Sequence, residues 1–242
     1  MTGELQLAEE LRERYNAFRQ QLDQAAAHAG RDPGSVQLIA VTKTHPIAVV
    51  EAALRAGMTR FGENYVQELR EKMQFFKAFP SRPQWHFIGH LQRNKVRYIA
   101  ENIELIHSVD SAALAVEIGR QAALYDRTID VLLQVNTSGE TSKFGCSPQK
   151  AVELAGHILA VPHIRLRGLM TIAAITDDPE KSRPMFRLLR SLRDDLQTRF
   201  PEADLSELSM GMTSDFIAAI EEGATYIRIG TALFGERATA QH

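Results

Sequence analysis

Apolar positions along this chain follow two periods in turn. At the N-terminus they recur every three or four residues, and Leu7, Leu11, Tyr15, Phe18 and Leu22 share one helical face. Gly30 and the turn-rich run Arg31-Asp32-Pro33-Gly34-Ser35 stop that helix. From there, short β-branched runs predict strands at 36–41, 59–62, 84–88, 103–109, 129–135, 164–170, 205–210 and 225–229. The weakest strand signals are 59–62 and 205–210. Amphipathic stretches separate the strands at 46–57, 64–78, 93–101, 111–125, 148–161, 179–200 and 214–223, with a last short turn or helix from Thr231.

Strict strand–helix alternation means parallel strands with right-handed crossovers. Eight such units, at a length near the ~250 residues usual for the closed form, predict an α/β fold. The expected form is a single (β/α)8 TIM barrel domain over 1–242, with an extra N-terminal helix. An open α/β sheet is the alternative if either weak strand is absent.

The net charge of −2 gives no basic excess that would point to nucleic acid or an anionic membrane. The one cysteine, Cys146, excludes an intramolecular disulfide and a zinc site of several thiolates, and favours a reducing, cytoplasmic location. The charged start MTGELQLAEELRER lacks the apolar core of a signal peptide, and no apolar run approaches the roughly 20 residues that span a bilayer.

A barrel places its working groups at the C-terminal ends of its strands. Strand one ends in Val41-Thr42-Lys43-Thr44, with Ile39, Val41 and Lys43 on one face. A partly desolvated lysine there has a lowered pKa and an amine suited to a Schiff base; the bland reading is a lysine that snorkels to water. The loops after strands seven and eight, SMGMTS and GTALFG, offer small residues and hydroxyls where barrels commonly hold a phosphate; ordinary turns are the alternative. Arg228 shares a face with Tyr226 and Gly230 and needs a partner inside the barrel mouth, an acidic group being one candidate. His86, His90 and His107 lack metal-ligand spacing and read as packing or hydrogen-bonding residues. Asp177-Asp178 reads as a helix cap, Cys146 as inert, and Met170, Met210 and Met212 as core that could also line a flat ligand.

The segments VTKTHP, FGENYVQE, WHFIGHLQRNK, GLMTI, LSMGMTSD and IRIGTALFG resemble, in order, the signature segments of the pyridoxal phosphate homeostasis protein family. That family is similar to the N-terminal barrel of alanine racemase (fold-type III). The resemblance runs from about residue 5 to residue 237. It implies that Lys43 forms a Schiff base with pyridoxal 5′-phosphate and that Arg228 faces the pyridine nitrogen. It also implies that Ser209, Gly230 and Thr231, with backbone near Gly211, hold the phosphate. Asn64, His86 and Met170 would lie around the ring, and Lys143 would match a second lysine linked to cofactor exchange. GMTSD departs from the family, which often has serine directly after GM; Thr213 keeps the hydroxyl.

These readings predict a cofactor carrier or buffer in vitamin B6 and amino-acid/keto-acid homeostasis, with at most weak racemase-like activity. The expected partners are the small-molecule cofactor and, transiently, apo-enzymes that use it. Neither nucleic acid nor a membrane is expected, and the oligomeric state is open. An amino-acid racemase is the first rival. It needs a second base, supplied in alanine racemases by a tyrosine of an additional domain; Tyr65, Tyr98 and Tyr125 are expected in helices, as packing residues. The second rival is a cofactor-free Schiff-base aldolase.

Overall fold

The computed structural model describes residues 2–174 and 176–236. Eight parallel strands close in sequence order into a barrel. They are β1 (Gln37–Val41), β2 (Arg60–Glu63), β3 (Gln84–Phe87), β4 (Ile103–Val109), β5 (Ile129–Gln134), β6 (Ile164–Met170), β7 (Glu207–Ser209) and β8 (Tyr226–Ile229). The two strands with the weakest signals are both present, and the open-sheet alternative falls. β7 is only three residues long and touches β8 through one register pair, Ser209 with Tyr226.

The helices α1 (Thr2–His28), α2 (Ile47–Arg55), α3 (Val66–Phe76), α4 (Ala112–Ala123), α5 (Ala151–Leu159), α6 (Arg183–Arg199), α7 (Phe216–Glu221) and α8 (Thr231–Phe234) surround the sheet. After β3 the connection is a 3-10 helix at Arg93–Tyr98, not the α-helical stretch expected over 93–101. Asp178 caps the turn before α6, its carboxylate accepting from the Glu180 N–H, as its position predicted. α8 has four residues and cannot cover its side of the barrel. α1 fills that side: Phe18 meets Phe216 at 4.8 Å between ring centroids, and Arg14 donates to the Leu233 carbonyl.

Most of the core lies between sheet and helices, where Phe61, Phe76, Phe87 and Phe186 are fully buried. Truncating one of these to alanine typically costs about 3–5 kcal/mol. Inside the barrel, Leu105, Leu132 and Met170 pack with Tyr226. His86, His107, Ser209 and Arg228 are buried there as a connected polar group, and that places the candidate chemistry on the barrel axis. Among the described residues, no helix is long and apolar enough to cross a membrane.

Candidate functional site

A cavity of about 420 Å³ opens at the C-terminal ends of the strands. β1 and the segment after it supply Val41, Lys43 and His45; the residues following β2 and β3 supply Asn64 and Ile88. Ile172 follows β6, and Met212, Thr213 and Ser214 follow β7. Arg228, Gly230, Thr231 and Gly235 come from β8 and its short helix. Lys43, Asn64, Arg228, Gly230 and Thr231 are therefore brought together, as the strand-end rule predicts.

Two glycines set the walls. A Cβ on Gly89 would stand 2.2 Å from the Asn64 carbonyl oxygen, so only glycine lets this loop press against Asn64 and fix it at the rim. Gly211 has φ +92°, and a Cβ there would lie 2.5 Å from the Ala219 Cβ. This turn brings Met212, Thr213 and Ser214 round to the cavity, and the Asp215 carboxylate pins it by accepting from the Met212 N–H at 2.7 Å. Gly211 thus shapes the wall without lining it.

Arg228 forms part of the cavity and is otherwise buried. Its Nη1 donates to Ser209 Oγ at 2.6 Å and its Nη2 to the Thr171 carbonyl at 2.8 Å. The partners are thus neutral oxygens, not the acidic group weighed from the sequence. Burial lowers its pKa to about 10, opposed by Asp215, which leaves it cationic at neutral pH.

Ser209, His86 and Met170 are fully or almost fully buried and lie outside the cavity wall. Ser209 Oγ is 2.8 Å from His107 Nδ1, and His107 Nε2 is 3.0 Å from His86 Nδ1. Arg228 can only donate, so one consistent direction runs from it through the serine hydroxyl and His107 to His86. His86 Nε2, the end of the chain, is buried and has no partner among the described residues. A small cavity of about 130 Å³ at the opposite end of the barrel, lined by Arg60, Glu104, Asp130, Arg167 and Glu207, takes in His86. Burial lowers the His86 pKa to about 3, with Arg60 adding to it. His107 is held well below the usual range by burial first, then by His86 and Arg228. The pair is neutral at physiological pH and forms the polar axis of the barrel. The sequence offered no signal for this chain, because its members lie 21 and 102 residues apart.

Lys143 also lies outside the cavity wall. Its Nζ donates to the Ala173 carbonyl at 2.8 Å and pairs with Glu140 at 3.1 Å, tying the long loop after β5 to the segment that carries Ile172. Cys146 is buried, and burial pushes its thiol up to about 11, away from the reactive thiolate. Tyr65 and Tyr125 are exposed rather than packed, and Tyr65 stands at the entry to α3, beside Asn64 in a neighbouring groove. His45 is a cavity residue to which the sequence reading gave no role, whereas Ser214 belongs to the SMGMTS loop that it read as a phosphate loop. His45 follows the strand-one lysine by two positions, and that spacing was the available signal.

Residues 14–238 match the family described as alanine racemase, N-terminal domain. The pyridoxal phosphate homeostasis protein of Haemophilus influenzae is 42% identical over 92% of this chain and 94% of its own length. That of Vibrio alginolyticus is 47% identical over 86% of this chain and 89% of its own. The solved structure of PipY from Synechococcus elongatus, with PLP bound, superposes with a TM-score of 0.82 at 38% identity, covering 93% of this chain and all of that one. An alanine racemase of Clostridium difficile superposes at TM-score 0.72 with 15% identity, covering 96% of this chain and 58% of that one, a likeness of fold.

Proposed function

This chain belongs to the family of the pyridoxal phosphate homeostasis proteins, built on the alanine racemase N-terminal domain, and on that premise we propose that it binds pyridoxal 5′-phosphate as a carrier or buffer with little catalysis. The observation that carries the reading is the convergence, in one cavity, of an amine, a guanidinium and a hydroxyl-rich rim. The cofactor, when bound, supplies an aldehyde that condenses with a lysine amine, forming a C=N bond and releasing the aldehyde oxygen as water with both amine hydrogens.

The residues present fit that group. Lys43 provides the amine at the end of β1. Thr213, Ser214 and Thr231 provide hydroxyl donors for a phosphate. At Gly230 a Cβ would meet only Val41, at 3.6 Å, so nothing in the protein itself requires glycine. Its missing side chain leaves room in the cavity. Val41, Ile88, Ile172 and Met212 give apolar walls for a flat ring, and Asn64 a polar edge. Arg228, fixed by Ser209 and Thr171, can donate to a ring nitrogen but disfavours its protonation. That weakens the ring as an electron sink and supports retention over turnover.

His86, Met170 and Ser209 serve this site from below, through Arg228 and the interior packing. Lys143, on the long loop after β5, would capture the aldehyde transiently and so aid exchange with apo-enzymes. A cytoplasmic setting fits the single buried cysteine.

One observation favours a second reading, slow proton exchange on amino acids. His45 lines the cavity with Lys43, and an imidazole there can accept a substrate proton. The deciding experiment pairs two assays on one sample. The purified protein should be yellow and should transfer cofactor to an apo-enzyme, while alanine and serine racemisation stays far below that of a dedicated enzyme. Fast racemisation without transfer would reverse the order of the readings.

A further inference from the structure

Lys43 sits between two backbone groups that the β2–α3 segment holds from one side. On its N-terminal side, Lys72 Nζ donates to the Thr42 carbonyl at 2.8 Å and to Glu63 Oε1 at 2.6 Å. The same Glu63 oxygen accepts from Thr42 Oγ1 at 2.7 Å. Glu63 and Lys72 are both buried, so neither charge can be satisfied by water and the geometry is held tightly. On the C-terminal side, the Thr44 N–H donates to Glu68 Oε2 at 2.7 Å, and that oxygen lies 3.7 Å from Lys72 Nζ. Thr44 has φ +65°, a left-handed conformation that a β-branched residue rarely adopts. Such a conformation persists only where its surroundings over-determine it.

We propose that Glu68, acting with Lys72 and Glu63, is a positioning residue that fixes the Lys43 amine for bond formation by clamping the peptide groups on both sides of it. This rests on the reading of Lys43 as the amine that takes the aldehyde. Lys72 and Glu63 hold the end of β1 against β2. Glu68 accepts the Thr44 N–H and keeps the chain turned immediately after Lys43, so that the lysine leaves the strand from a backbone with little freedom. Glu68, Lys72 and Glu63 are absent from the cavity wall and would not touch the cofactor. Their effect would therefore fall on the covalent step and not on phosphate anchoring.

The test separates those two. Apo-protein is mixed with pyridoxal 5′-phosphate, and the rise of visible absorbance gives the rate of bond formation. Binding of pyridoxine 5′-phosphate, which has an alcohol in place of the aldehyde, gives the anchoring affinity. Glu68→Ala should slow the first by about 10- to 100-fold, the scale of an ångström-sized misplacement. The second should stay within about twofold, the margin expected where no cofactor contact is lost. Glu68→Gln, which keeps an acceptor for the Thr44 N–H, should recover most of the rate. The double variant Glu68→Ala with Thr44→Gly removes the strain and should recover any lost thermal stability while the rate stays low. An unchanged rate in Glu68→Ala, a parallel loss of pyridoxine 5′-phosphate affinity, or recovery of the rate by Thr44→Gly would each overturn the clamp. A wild-type protein that develops no colour overturns the proposed function itself, and the clamp with it; colour in the wild type confines any failure to the clamp.

Discussion

Arg228 Nη1 and Ser209 Oγ lie 2.6 Å apart, and this bond turns the serine away from the cavity and into the barrel axis. A hydroxyl shared between a guanidinium and His107 supports Arg228 and has no free geometry for a phosphate. Ser209→Ala should accordingly leave the arginine and the histidine each short of a partner. The expected loss is about 1–3 kcal/mol, or a fall of roughly 2–12 °C in Tm for a chain of this size. The ratio of affinities for pyridoxal phosphate and pyridoxal should stay near that of the wild type. A collapse of that ratio with little change in Tm would return Ser209 to the phosphate site.

Thr231 should behave in the opposite way. It lines the cavity, and Thr231→Val removes one donor from the phosphate at about 1 kcal/mol, or several-fold in affinity. Pyridoxal, without the phosphate, should bind equally well to the variant and the wild type. Titration of both vitamers against both proteins checks this.

Gly230→Ala offers a test of space. The added Cβ meets only Val41, at 3.6 Å, so stability should change by no more than about 0.5 kcal/mol. Cofactor affinity should fall because the methyl group enters the room the cavity reserves. A variant that unfolds, or that binds as tightly as wild type, contradicts the assignment.

Borohydride reduction of the yellow protein should fix a pyridoxyl mass on the peptide that contains Lys43. Lys43→Ala should lose the colour and keep weak binding through the phosphate. Lys143→Ala should load normally yet transfer cofactor to an apo-enzyme more slowly. Peptide mapping that finds the label elsewhere, with Lys43 unmodified, removes the central residue of the site.

The histidine pair predicts a pH dependence of stability. His86 titrates near 3 in the folded protein against an ordinary 6.5, and His107 is lowered as well. Below about 6.5 the unfolded chain binds protons that the folded one refuses. The stability from a neutral pair is therefore complete above that pH and is lost as pH falls toward 3, with a slope of up to ~1.4 kcal/mol per pH unit for each histidine. Glu63 works against this trend, since burial raises its pKa and favours proton uptake by the folded state. Urea unfolding between pH 7 and pH 4 should show a slope that His86→Gln reduces by about one proton. An equal slope in both proteins rules out the buried neutral pair.

The period of the apolar positions determined a parallel α/β fold and favoured the barrel, because alternation of strand and helix leaves few topologies; only the structure, by showing both weakly signalled strands, decided closure over an open sheet. It also placed Lys43, Gly230 and Thr231 at the working end, since strand ends are marked locally by where an apolar run stops. It could determine the face of a strand residue but not its depth along the barrel axis. Depth depends on the stagger between strands, which no single strand encodes. Register sets Ile39 beside Arg228 and Ser209 beside Tyr226, two residues lower on β8. That offset drops Ser209, with His86 and His107, beneath the cavity, and lifts Met212, Thr213 and Ser214 to its rim in its place. The clamp on Thr42 and Thr44 was equally invisible in the sequence. Glu68 and Lys72 look like the solvated face of a helix, and Glu63 like an ordinary strand end, until β2 and α3 fold against β1 and bury Lys72 with Glu63.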